Sequence, residues 1–171
     1  MLDQNTAAQL KTLLERLEGP IELVATLDAS DKSAKIKELV EEIAALSDLV
    51  TARFDGTNKR APSFGVAKAG EQPRVFFAGL PMGHEFTSLI LALLQTSGYA
   101  PKVSDEVLAS IKALGIQSDF DVFVSLSCHN CPDVVQALNL IAIYNPGTTA
   151  TMFDGAFFQE EVEERKIMAV P

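Results

Sequence analysis

Long apolar runs are scarce in this chain. The longest, Leu89 to Leu94 and Leu138 to Ile143, fall well short of the roughly 20 residues that a membrane-crossing helix needs, and Asn139 interrupts the second. No membrane span is expected. Cysteine is nearly absent: Cys128 and Cys131 are the only two, too few for the disulfide framework of a small secreted domain, so the pair reads as chemistry and not as scaffolding. Positive charge is in deficit, 14 basic against 23 acidic side chains and a formal charge of −9. Such a surface repels phosphate backbones and anionic lipid, which argues against nucleic acid and membrane as partners. Histidine is limited to His84 and His129, so the cysteine pair lacks the four well-spaced ligands of a structural zinc site, and no metal is expected. No glycine-rich dinucleotide fingerprint occurs anywhere in the 171 residues, so no cofactor site can be placed on them. The N-terminus, MLDQNTAAQLKTLLERLEG, lacks the basic start and continuous apolar stretch of a secretory signal; Leu10, Leu13, Leu14 and Leu17 instead form a helical stripe, as in a cytoplasmic protein.

What is present is enough apolar material for a core, 47% of the chain, and an internal repeat. A shift of 99 residues lays Ile21–Leu27 on Phe120–Leu126, both of strand character, and Ser33–Leu46 on Pro132–Asn145, both helical. The same shift places Phe54-Asp55-Gly56 on Phe153-Asp154-Gly155. Identities are few, so the repeat rests on pattern and on that shared tripeptide. A longer connection, Ala156 to Lys166, then brings Val170-Pro171 to the place of Ala61-Pro62. Each proline stands where the chain should enter a strand, a position that suits a cis peptide bond.

The first copy continues with strand candidates at Ser63–Ala67 and Arg74–Phe77 and a helix over Glu85–Thr96, completing a βαβ unit followed by a ββα unit. The expectation is an α/β sandwich for each copy, helices on both faces, and not half of a larger sheet. The boundaries are 1–101 for the first copy and 102–171 for the second, whose final strands and helix should lie beyond Pro171, as though the sequence were cut short. Val103–Leu114 is an amphipathic helix between the copies; free of glycine and serine-rich tether, it should bury an apolar face between them and make one rigid unit.

The C-x-x-C spacing would arise by chance only about once in 85 random placements of two cysteines. Its position is more telling: it follows a strand and precedes a helix that opens with Pro132 and Asp133, where proline is favoured in the first turn. Free N–H groups and the helix dipole there stabilise negative charge and supply thiolate on Cys128. Cys131, two residues further, can then resolve a mixed disulfide, converting one attack into a two-electron transfer. His129, inside the loop, reads as a tuner of thiolate stability and His84 as a loop or cap residue. Glu85 reads as a charge complementing the dipole of its helix.

The segments SLSCHNCPDVVQALNL and GHEFTSLILALL resemble the N-terminal domain of the flavoprotein subunit of bacterial alkyl hydroperoxide reductase, and the resemblance covers essentially the whole chain. It implies two tandem thioredoxin-like (glutaredoxin-like) folds, only the second with cysteines; Ala29 and Lys32 stand at the first copy's matching places. It also implies a relay in which NADH reduces FAD and FAD reduces a dithiol on a C-terminal domain outside these residues. That dithiol reduces Cys128–Cys131, and this pair reduces a disulfide of a peroxiredoxin partner, in a parent that is a homodimer. Glu85 is implied to face the cysteines across a shared groove and to assist proton transfer; from its alignment with Pro62, Pro171 is expected to be cis once a strand follows it and to lie beside the disulfide. A free-standing two-fold glutaredoxin-like oxidoreductase and a non-catalytic docking module are the competing readings.

Overall fold

The computed structural model describes all 171 residues. The first repeat runs α1 (Gln4–Leu14), β1 (Ile21–Thr26), α2 (Asp31–Ala44), β2 (Val50–Arg53), β3 (Ser63–Lys68), β4 (Val75–Ala78), a 3-10 turn (Gly83–Glu85) and α3 (Phe86–Thr96). The second runs α4 (Asp105–Lys112), β5 (Ser118–Val124), α5 (Cys131–Tyr144), β6 (Thr148–Asp154) and the short α6 (Gln159–Glu164), which falls in the stretch expected to be plain connection.

Alternation of apolar residues along the strands aims one face of the sheet at the core. Leu23 and Ala25 of β1, Phe64 and Val66 of β3, Val75 and Phe77 of β4, Val122 and Val124 of β5, and Ala150 and Met152 of β6 form one cluster with buried residues of α1, α2, α3 and α5. Ile36, Leu39, Val40 and Ile43, at helical spacing on α2, are all buried, each such side chain contributing about 1.5–3 kcal/mol. The other face carries Phe123 and Phe153, stacked at 4.7 Å between ring centroids and packed with Phe158, Val162 and Ile167 from the α6 region.

Two sandwiches were expected, but there is one six-stranded sheet, ordered β2-β1-β3-β4-β6-β5. β4 and β6 pair in parallel from Val75 opposite Ala150 to Ala78 opposite Phe153. Each would otherwise be an edge strand with unpaired backbone groups, and joining them satisfies both. Arg74 adds a clamp, donating from Nε to the Ala142 carbonyl (2.9 Å) and from Nη2 to that of Ile143 (2.8 Å) at the C-terminal end of α5, where cations are favoured. The linking helix does not do this work. α4 buries none of its residues, and Val103, Val107 and Leu114 are exposed.

The repeat itself is out of step by one residue. β1 pairs Ile21 with Val50, whereas β5 pairs Phe120 with Ala150, so the second repeat holds one more residue between paired positions. A one-residue slip turns side chains to the opposite face. Phe153 is therefore fully buried while Phe54 is exposed, and the shared Phe-Asp-Gly is not a structural equivalence. Of the two matched prolines, Pro62 follows a cis bond, the only one in the chain, as it leads into β3; the Val170–Pro171 bond is trans.

Candidate redox site

β5 ends at Val124, and the chain turns through a Cys128 N–H to Ser125 carbonyl bond of 2.9 Å before α5 begins at Cys131. Cys128 and Cys131 form a disulfide with Cα atoms 5.6 Å apart. Cys131 is fully buried, Cys128 only half so. The Cys131 N–H lies 3.2 Å from Cys128 Sγ, one of the free donors at the start of the helix, and after reduction it is a ready partner for a Cys128 thiolate. The Pro171 carbonyl oxygen stands 3.3 Å from Cys128 Sγ and 3.9 Å from Cys131 Sγ.

The 3-10 turn of the first repeat lies against this corner. A side chain at Gly83 would meet the Leu126 carbonyl oxygen at 2.7 Å, so only glycine permits the approach, and the His84 N–H donates to that same carbonyl at 3.0 Å. His84 is exposed, and its ring sits 4.3 Å from that of His129. Glu85, next in the chain, is fully buried. Ser88 Oγ donates to its Oε2 at 2.6 Å, and Gln136 Nε2, from α5, donates to Ser88 Oγ at 3.2 Å. Its other oxygen, Oε1, is buried without a partner. Burial raises the Glu85 carboxyl above the usual carboxylate range, and the Ser88 bond offsets only part of that.

Cys128, Cys131, His129 and Pro171 thus share one corner, with Glu85 on the segment packed beside it. Glu85 is an interior acid and not the exposed helix-end charge that its place in the sequence suggests. Ser88 and Gln136 escape sequence reasoning. Ser88, one turn after Glu85, carries a weak signal as a neighbour on a helix face, whereas Gln136 carries none.

The matching corner of the first repeat has a different closure. Asp28 Oδ1 accepts from the Ser30 N–H (2.9 Å) and from Ser33 Oγ (2.8 Å), and Ser33 Oγ accepts from the Asp28 N–H (2.9 Å). Lys32 reaches into the second repeat, its Nζ 2.5 Å from the Phe157 carbonyl. No group of three or more histidine, cysteine or acidic side chains is arranged to hold a metal. A dinucleotide does not fit either. The turns after β1 and β5, Leu27–Ser30 and Ser125–Asn130, hold no glycine; the glycines after β4 are filled against, Gly79 by Asp154 and Gly83 by Leu126.

No protein-family model matches the chain. Over all of its length it is 55% identical to the AhpF subunit of alkyl hydroperoxide reductase from Pseudomonas putida and 51% identical to that of Escherichia coli K12; it spans 33% of each. Among solved structures it resembles the NTD_N/C domain of alkyl hydroperoxide reductase AhpF from Enterococcus faecalis, with a TM-score of 0.89 and 31% identity, covering 100% of this chain and 88% of that one. A protein disulfide oxidoreductase from Aeropyrum pernix, at 18% identity and a TM-score of 0.81 over 100% of this chain and 83% of that one, shares the fold.

Proposed function

Because this chain belongs to the AhpF family of alkyl hydroperoxide reductases, as its N-terminal thioredoxin-like domain, we propose that it relays electrons as a thiol–disulfide couple to a peroxiredoxin. The observation that carries this reading is the asymmetry of the pair: a half-exposed Cys128 in the turn just before α5 and a buried Cys131 at the first residue of that helix. In the reduced domain the Cys128 thiolate attacks a partner disulfide. One partner sulfur leaves as thiolate and a Cys128 mixed disulfide remains. Cys131 then attacks Cys128 Sγ, the partner leaves with its second sulfur reduced, and the Cys128–Cys131 disulfide forms again. The whole protein, about three times as long as this chain, is where NADH and FAD belong, supplying electrons through a second dithiol. It works as a homodimer in the cytoplasm, where thiols are kept reduced, and supports hydroperoxide reduction.

Trapping tests the reading. Cys131→Ser should accumulate a mixed disulfide with an oxidised peroxiredoxin, and Cys128→Ser should not. The opposite pattern, or trapping in neither, overturns it.

A further inference from the structure

The loop that leads to Pro62 and the helix that leads to Pro171 meet on the face of the sheet away from the main core, and four charged side chains join them. Arg60, from the first repeat, donates from Nε to Glu161 Oε1 at 3.1 Å, and its Nη2 stands 2.8 Å from that oxygen and 3.4 Å from Asp121 Oδ2. Arg165 Nη1 completes the set, 2.8 Å from the same Asp121 oxygen and 3.5 Å from the same Glu161 oxygen. Both guanidinium groups lie over the stacked aromatic pair, Arg60 5.3 Å from the Phe153 centroid and Arg165 5.1 Å from that of Phe123. We propose that Arg60 is a positioning residue for exchange with the peroxiredoxin: it fixes α6, and through α6 the segment 167–171 that runs up to the sulfurs. The inference rests on the relay proposed above and adds what the first repeat contributes to it.

The need for a fixed α6 follows from what comes after it. The Ile167 N–H donates to the Val162 carbonyl at 2.9 Å, and beyond that point Met168, Ala169 and Val170 make no hydrogen bond to another backbone group. The chain is next held at the sulfurs, where the Pro171 carbonyl oxygen stands 3.3 Å from Cys128 Sγ. The course of these residues beside the disulfide is thus set from α6. They are exposed, and their free N–H and C=O groups can pair with an extended segment of the partner as its disulfide approaches Cys128. A segment that is already in place binds more tightly, because no ordering is left to the moment of contact.

Alone, α6 cannot fix itself. It has six residues and fully buries none of them, and so short a helix is unstable without tertiary contacts. Val162 packs it on Phe123 and Phe153, and the charged cluster does the rest. Within that cluster Arg60 is the member rooted in the first repeat. Its N–H donates to Asn58 Oδ1 (2.9 Å), its carbonyl accepts from Ser63 Oγ (2.6 Å), and the Asn58 N–H donates to Thr26 Oγ1 (3.1 Å), so the arm springs from β1 and β3. Lys32 also reaches across, but to the turn before α6 and through one bond. Arg60, Asp121 and Glu161 leave only 19–22% of their side chains exposed, so these pairs are screened less than ordinary surface ions. The planar fork of arginine meets two carboxylates while lying on a ring, which the single ammonium of lysine does not reproduce.

The test is steady-state turnover of the full-length protein with NADH and hydroperoxide saturating and the peroxiredoxin varied. Arg60→Met keeps the apolar stem on Phe153 and removes the fork; it should raise KM for the peroxiredoxin about tenfold with kcat within about twofold. Arg60→Lys should restore part of the loss. Glu161→Gln should also raise KM, and the double variant Arg60→Met with Glu161→Gln should be no worse than Arg60→Met alone, because both break one link. Two controls separate positioning from stability: Leu14→Ala weakens the core, Lys32→Ala removes the other bond to the α6 region, and neither should move KM. An unchanged KM in Arg60→Met, a loss confined to kcat, or an equal rise in Leu14→Ala overturns the proposal. Should Arg60→Met fold poorly by far-ultraviolet dichroism, Glu161→Gln and Arg60→Lys answer the same question. The relay is judged separately, by trapping in Cys131→Ser with Arg60 intact: trapping there with an unmoved KM in Arg60→Met overturns this inference alone, and no trapping there overturns the reading beneath it.

Discussion

The two strand-to-helix corners of this molecule are built alike and closed differently. In the first repeat Asp28, Ser30 and Ser33 close the corner with hydrogen bonds, and Lys32 spends its charge on a carbonyl of the other repeat. In the second the closure is a disulfide between Cys128 and Cys131. A polar clasp only holds the loop. A covalent clasp between two sulfurs holds it and can also take up two electrons, since the bond breaks to a dithiol and forms again by exchange. The first corner is static in a further sense: it faces its neighbour with a bonded lysine, while the second meets a turn whose acid, Glu85, still has a free oxygen. The opening helices diverge as well. α1 buries Leu10 and Leu14 with α3 beside it, whereas α4, against α5, only half-buries Leu108 and Ile111.

The sharpest way to break the contrast is to remove the closure on each side. Cys128→Ser should abolish exchange with an oxidised peroxiredoxin, whereas Lys32→Ala should leave its rate within about twofold, read by trapping and by turnover in the full-length protein. Next in size is the contrast of opening helices. Leu14→Ala should cost about 2–5 kcal/mol in urea unfolding, and Val107→Ala, on the exposed α4, should stay within about 0.5 kcal/mol. Asp28→Ala, which opens the polar clasp at an exposed loop, should cost about 1 kcal/mol without altering exchange, measured by the same unfolding curves and assay.

The smallest effect is one of sign, and it separates the two corners by pH. Hydrogen bonds, first from Ser30, hold the Asp28 carboxyl below its ordinary range; its stabilising contribution is present above that range and is lost as pH falls through the folded-state value. Glu85 is raised by burial. The folded chain therefore binds the Glu85 proton more tightly than the unfolded chain, and stability is lost as pH rises from the ordinary carboxylate range through the raised value. Unfolding free energies at about pH 4 and about pH 8 should show Glu85→Gln relatively stabilised at the higher pH and Asp28→Asn relatively destabilised there. Parallel shifts in the two variants would contradict the assignment of opposite environments.

Much of this was legible in the chain itself because the signals are local. The helical stripe of Leu10, Leu14 and Leu17, the alternation in β1 and β5, the order of elements in each repeat and the Cys-x-x-Cys ahead of Pro132 are set by periodicities and preferences within a few residues of one another. What only the tertiary structure decided depends on neighbours distant in sequence. The register slip that buries Phe153 and exposes Phe54 is a matter of pairing between strands, which a linear alignment of Phe-Asp-Gly cannot report. The merger of two repeats into one sheet follows from two edge strands, β4 and β6, finding each other, and α4 lies outside that junction, only half-burying Leu108 and Ile111. Glu85 is the clearest case. In sequence it is an acidic residue at the start of a helix. Only packing of the first repeat against the second takes it out of water, bonds it through Ser88 to Gln136 and leaves Oε1 unpaired, because burial is a property of the assembled surfaces and not of the residue.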